Sequence, residues 1–300
     1  AADRAEEFGS QALSNTLNAM AHFSHDDTLV FSRLLARSCV ISSEFQPQEI
    51  SNVLFAAAKL RVVEPEAFEL LLEQAEKKMK LFSSQDISNT LLALVWTSYY
   101  GREHLFFSFV SLLARLEPAM IAPVALRQIN SVFLAVSLEK PGWRIDRLPN
   151  VEQLKVRAER AAAEHIPAHL FWRQQVSTAL SEAGFSHQGD SGSWGLNSNF
   201  ILIPAESNRI SADVAVEILA PHKYCRNALN LKLLGSSLFQ RRMVVALGYH
   251  VFEVSYVTWV SLGGKLDLQA SYLSDAIESF LADTKSTHHP QEVKPKDLES

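Results

Sequence analysis

Cysteine is scarce. Cys39 and Cys225 are the only two, and a pair so far apart in sequence supplies neither a disulfide framework nor a four-ligand zinc site. A reducing compartment is the natural reading. Long apolar runs are lacking too: the best candidate, Leu105 to Leu116, is interrupted by Ser108, Ser111 and Arg115 and falls short of the ~18 residues a bilayer helix needs. No membrane partner is expected. Glycine and proline number 11 each in 300 residues, which excludes a collagen-like or low-complexity chain, and 47% hydrophobic against 20% charged residues is enough to bury a core. Positive charge is short as well, since 28 Lys and Arg against 33 Asp and Glu leave a net charge of −5. Coating nucleic acid by bulk charge is excluded, and any contact with it must be a local patch. Nucleotide-binding signatures are missing: no Gly-rich phosphate loop leads into Lys-Ser/Thr, and the Gly189 to Gly195 stretch does not connect a strand to a helix.

What the chain does have is an internal repeat. Leu13-Ser14-Asn15-Thr16-Leu17, Ile50-Ser51-Asn52-Val53-Leu54 and Ile87-Ser88-Asn89-Thr90-Leu91 share one pattern, stepping by 37 residues each time. A looser fourth copy is Ile129-Asn130-Ser131-Val132-Phe133. Ile50, Val53, Leu54 and Ala57 fall on one helical face, as do Ile87, Leu91 and Leu94. Helix starts agree: Pro47 suits a first helical position, and Ser83 has Asp86 three residues on, a capping-box spacing. Second helices are predicted at Asp27 to Arg37, Glu66 to Leu81 and Glu103 to Leu116. A single pair cannot cover its own apolar stripe, so neighbouring pairs must stack into an α-helical repeat solenoid. The repeated Asn15, Asn52 and Asn89 sit about 200° round the helix from the aliphatic anchor. They form either a ladder that contacts RNA bases or a structural ladder between repeats, and the structural ladder is favoured because Asn has no intrinsic value in mid-helix.

The period breaks near Glu139-Lys140-Pro141-Gly142, and a basic stretch with Arg144, Arg147, Lys155, Arg157 and Arg160 follows. A helix is expected from about Ala168 to Ala183, then short strands at Phe200 to Ile203, Val214 to Ile218 and Tyr249 to Tyr256, which together make a small α/β domain. The expected organisation is therefore repeats over 1–138, a basic linker and helix over 139–167, the α/β domain over 168–284 and a mobile tail over 285–300.

Three segments of that domain carry a family likeness. They are Val214-Ala215-Val216-Glu217-Ile218-Leu219-Ala220-Pro221-His222-Lys223-Tyr224, then Leu234-Gly235-Ser236-Ser237-Leu238-Phe239-Gln240-Arg241-Arg242, then Ala246-Leu247-Gly248-Tyr249-His250-Val251-Phe252-Glu253-Val254, with Trp259 and Tyr272-Leu273 behind. In that order they resemble a RAP domain, a small RNA-binding module, over roughly Phe171 to Leu281. The repeats before it are similar to the heptatricopeptide repeats found beside such domains in apicomplexan and other organellar proteins, including FAST-kinase-like ones. The resemblance implies a mitochondrial matrix protein, with plastid as second choice. It also implies a part in RNA metabolism, as a component of a mitoribosome that binds rRNA or single-stranded RNA beside other proteins of a ribonucleoprotein. The RAP fold is similar to the PD-(D/E)XK nuclease fold.

The residues add their own argument. Between Ile218 and Phe252 lie five cations, Lys223, Arg226, Lys232, Arg241 and Arg242, and no acid. His222, Tyr224, Phe239, Tyr249 and His250 interleave with them and offer rings on which unpaired bases stack. The RNA-binding set expected is therefore His222, Lys223, Tyr224, Arg226, Lys232, Arg241, Arg242, Tyr249 and His250, with the asparagine ladder beside it. Metal-dependent cleavage is not expected: Asp213 and Glu217 alternate onto one strand face, but Glu217-Ile218-Leu219 has no Lys at the third position and Phe200 to Ile203 carries no acid. No kinase motif is visible. His288-His289 reads as solvated rather than metal-binding, and Cys39 and Cys225 as ordinary thiols. The chain is expected to be no enzyme and to need no cofactor; a protein-interaction scaffold is the alternative.

Overall fold

The computed structural model describes residues 2–164, 170–189, 200–203, 214–227 and 231–287. The chain is mostly helical, with a small four-stranded sheet towards the C-terminus. It divides into two compact units: the helical one takes residues up to Ala168 and also Leu219–Gly248, and the other takes His169–Gly189, Asn199–Ile218 and the chain from Tyr249 onward.

The helical unit opens with four helix pairs: α1 (Ser10–His22) with α2 (Thr28–Val40), α3 (Pro47–Leu60) with α4 (Pro65–Lys77), α5 (Ser84–Trp96) with α6 (Glu103–Ala114), and α7 (Pro123–Glu139) with α8 (Val151–Ala163). Caps fix their beginnings. Asp27 Oδ1 accepts from the Val30 N–H at 3.0 Å, Pro47 fills a first helical position, and Ser83 and Asp86 bond reciprocally at 3.2 and 3.0 Å. The ends of the first helices repeat as faithfully. Ser24, Arg61 and Ser98, again 37 residues apart, are left-handed at φ 54°, 61° and 54°. The next N–H in each copy reaches back to close the helix, His25 to the Met20 carbonyl at 2.8 Å, Val62 to Ala57 at 3.0 Å and Tyr99 to Leu94 at 2.8 Å. These are Schellman turns made without glycine.

Helices α1, α3, α5 and α7 pack side by side in sequence order. Leu13, Leu17, Ile50, Leu54, Ile87, Leu91, Ile129 and Val132 are buried there, and Phe31, Leu35, Phe68, Leu71, Phe106 and Phe109 line the second helices. The repeated serine is fully buried in all three copies. Ser51 Oγ donates to Asp86 Oδ1 of the next repeat at 3.2 Å, and Ser88 Oγ donates to Gln128 Oε1 at 2.7 Å. Helix α8 packs on α7 through Val151, Leu154, Ala158 and Ala162, so the helix of the stretch expected to be a basic linker and helix is the second helix of a fourth pair. The last helix of this unit, α10 (Gly235–Ala246), contacts α3, α5 and α7.

The second unit contains α9 (Leu170–Glu182), β1 (His187–Gly189), β2 (Phe200–Leu202), β3 (Val214–Leu219), β4 (His250–Ser255), α11 (Tyr256–Ser261) and α12 (Leu266–Thr287). Sheet order is β1-β2-β3-β4, with the first two pairings antiparallel; Phe200 faces Val216 in register. Val176, Leu180, Leu202, Val214, Val216, Val254, Trp259, Leu273 and Ile277 form one core between sheet and helices. The indole of Trp259 donates to Gln175 Oε1 at 3.2 Å. Strand β1 was not expected from the sequence, and α12 runs to Thr287, past the expected start of the tail. The rest of the tail with His288-His289, and the Gly189 to Ser198 loop beyond its first residue, lie outside the described residues. No helix among the described residues is long and apolar enough to cross a membrane.

Candidate nucleic-acid interface

The cationic segment begins where β3 ends. Pro221–Lys223 makes one 3-10 turn, and Tyr224 then bridges Leu233. The Cys225 N–H donates to the Lys232 carbonyl at 2.8 Å and the Leu234 N–H to that of Lys223 at 2.9 Å, which closes a narrow loop. Ser237 Oγ ties α10 to the same Lys223 carbonyl at 3.1 Å. This loop sits on the turn between α1 and α2. There the Arg226 N–H donates to the Ser24 carbonyl at 2.9 Å, Asn227 Nδ2 donates to the Asp26 carbonyl at 3.1 Å, and Lys232 Nζ lies 2.7 Å from Asp26 Oδ1. One repeat further on, Arg61 Nη1 donates to the Leu233 carbonyl at 3.3 Å. Gly235 permits the closest approach: a Cβ at that position would lie 2.0 Å from the Ala58 carbonyl oxygen.

Helix α10 continues across the next repeats and buries Phe239, Met243 and Val244. Arg242 ends the crossing. Its Nε lies 2.5 Å from Glu139 Oε1, its Nη1 donates to the Trp96 carbonyl at 3.2 Å, and its Nη2 donates to the Val95 carbonyl. Glu139 also accepts from the Tyr100 hydroxyl, which burial first, and this bond second, push far above the ordinary phenol range. The arrangement has a common electrostatic cause. The first helices turn their C-terminal carbonyls towards this edge, where helix dipoles concentrate negative charge, and cations complement it.

Lys232 and Arg242 are paired with Asp26 and Glu139, so the acid-free character of the segment holds in sequence and not in space; this corrects the expectation of a uniform cationic face. Lys223 and Tyr224 are buried, and Phe239 belongs to the core. His222, Arg226 and Arg241 are exposed on the helical unit, while Tyr249 and His250 are half-buried in the second unit. In the ladder, Asn89 Oδ1 accepts from Gln85 Nε2 of its own helix and from Gln128 Nε2 of the next repeat, both at 2.9 Å, and the second is a structural bond between repeats. Asn52 is half-buried and Asn15 exposed.

Two thiols and one amine complete the chemistry. Burial raises the pKa of Cys39 and of Cys225, the latter pushed further by Asp26, so neither is poised as a nucleophile. Lys59, close to Cys225 and Arg226, is lowered by burial first, with Cys225 opposing and Arg226 adding to the shift. Sequence reasoning missed Asp26 and Glu139, which lie 206 and 103 residues from their partners. The available signal for the edge they occupy was the 37-residue spacing itself, which ends each first helix at nearly the same point of the repeat.

Residues 216–275 match the RAP domain family. The match begins within β3, covers the docking loop, α10, β4 and α11, and ends within α12. No curated protein matches the chain.

Proposed function

We propose that this chain is a non-catalytic RNA-binding protein of an organellar ribonucleoprotein, working in the mitochondrial matrix on ribosomal RNA, with the plastid as the second setting. The single observation that carries the reading is the RAP-domain match, because such domains generally bind RNA; the exposed His222, Arg226 and Arg241 lie within it and supply charge and a ring for an unpaired strand. A net charge of −5 fits a component that meets RNA locally while other proteins share the load. The second unit is read as a relative of the PD-(D/E)XK fold put to binding. Glu217 on β3 is 1% exposed, which withholds it from a substrate, and Asp213 lies outside the described residues.

The test is fluorescence anisotropy of labelled single-stranded RNA titrated with the full chain at several salt concentrations. Affinity should fall with salt by ~0.7 log units per log unit for each phosphate neutralised. Arg226→Glu with Arg241→Glu should weaken binding at least about tenfold and flatten that slope by ~1.4. A protein scaffold would show no binding even at low salt, and that outcome would replace the RNA reading.

A further inference from the structure

The edge bearing the C-terminal ends of the first helices is occupied by this chain's own cations. A second basic cluster lies on the same unit, at the N-terminal end of α7. There Pro118, Pro123, Leu126, Arg127, Arg157, Arg160, Ala161 and Glu164 enclose an open groove of about 420 Å³ between α7 and α8. Three guanidinium groups face one carboxylate.

Their fixings differ in a way that matters. Arg157 Nη2 donates to the Pro118 carbonyl at 2.8 Å, which positions its planar fork and leaves its other N–H groups available. Arg160 bonds Glu164 at 2.9 Å, but both side chains are mostly exposed, 79% and 66%. Such an exposed pair is weak and exchanges readily for a stronger anion. Arg127, on the facing helix, has no ion-pair partner among the described residues. Helix α7 adds a fixed field: Pro123 is its first residue, Ala122 gives no side-chain cap, and seventeen residues align their dipoles with the positive end at the groove. The apolar part of the lining is Leu126, Ala161 and the two prolines.

We propose that this groove is a phosphodiester-binding site that seats the backbone of single-stranded RNA, with sugar faces on the apolar part of the lining and successive phosphates on Arg127, Arg157 and Arg160. Guanidinium forks match phosphate oxygens bidentately. The inference rests on the proposed RNA-binding function and adds to it a contact outside the RAP-domain match.

The test uses the full chain and a fluorescein-labelled oligouridylate of about 15 nucleotides. The variant is Arg127→Gln with Arg160→Gln; Arg157 is kept because it holds the Pro118 turn. Affinity should drop about tenfold and the salt slope should flatten by ~1.4, two contacts at ~0.7 each. Circular dichroism and melting should match the parent. A charge-matched control, Lys77→Gln with Lys80→Gln, should leave affinity within twofold. If the groove variant binds as the parent does while Arg226→Glu with Arg241→Glu weakens binding, the groove assignment fails and the RNA function stands. Equal weakening by the control variant would reduce the groove to bulk charge and overturn the site. Oligoglutamate bound in the groove in preference to RNA would overturn the assignment of the occupant. A parent chain that binds no oligouridylate at low salt would remove both readings.

Discussion

Arg242 joins groups that the sequence separates widely: the Glu139 carboxylate at the end of α7 and the two last carbonyls of α5. With side-chain exposures of 31% for Arg242 and 17% for Glu139, the pair is half-desolvated, and removing one partner strands the other. Arg242→Gln and Glu139→Gln should each cost about 1–3 kcal/mol in urea unfolding of the full chain. The double variant should cost less than the two added together, with a coupling near 1 kcal/mol. A coupling indistinguishable from zero would mean that capping α5 carries the whole effect and the ion pair contributes nothing. The same geometry makes Arg242 a poor probe of RNA binding, because a change there confounds affinity with docking of α10. Arg226 and Arg241, both exposed, carry that test instead.

At the scale of the element, α10 is held by shape before charge. Gly235 sits against the backbone of α3, and a methyl group 2.0 Å from the Ala58 oxygen has only backbone to push against. Gly235→Ala should therefore lift the N-terminal turn of α10 from α3, at a cost of about 2 kcal/mol or more by analogy with overpacked cores. The measurement is amide exchange: protection should fall across 235–246 while the amides of α4 and α6 keep theirs. Unchanged protection in α10 would show that the helix is held by its loop and by Arg242 alone.

The repeats were legible because three copies keep an identical rung and strict spacing, so the apolar stripes of α1, α3 and α5 read directly. The two polar residues of the rung have different surroundings. Serine and asparagine recur together, but Ser14, Ser51 and Ser88 are fully buried, whereas the asparagines range from exposed to half-buried. That helix α8 completes a fourth pair was not legible, because its stripe of Val151, Leu154, Ala158 and Ala162 is thin and alanine-rich, while its charges are conspicuous. Strand β1 is three residues long, with two of them exposed, too short to show an alternating pattern. The pairing of Lys232 with Asp26 was not legible, since no local rule links positions 206 apart.

For the whole molecule, the consequence is that sequence domains and folding units differ. The RAP-domain match is one continuous stretch, 216–275, yet Leu219–Gly248 folds with the helical repeats and the chain from Tyr249 onward with the sheet. Charge explains part of this: the repeats end their first helices on one edge with Asp26 and Glu139 nearby, and the segment that covers it carries Lys232 and Arg242. Apolar burial explains more, since Phe239, Met243 and Val244 are each at most 4% exposed and contribute about 1.5–3 kcal/mol apiece. A fragment ending at Ala168 keeps all four helix pairs and loses that cover. It should melt at least roughly 10 °C below the first transition of the full chain, as ~4.5 kcal/mol, the low end of the sum for those three side chains, implies for a unit of this size, and should bind a hydrophobic dye that the full chain excludes. Adding a peptide of residues 219–248 should restore the melting temperature in a saturable way, less so when the peptide carries Arg242→Gln. A fragment that melts with the full chain would show that the repeats are complete without α10, and the RAP segment would then be a guest on their edge and not a part of their core.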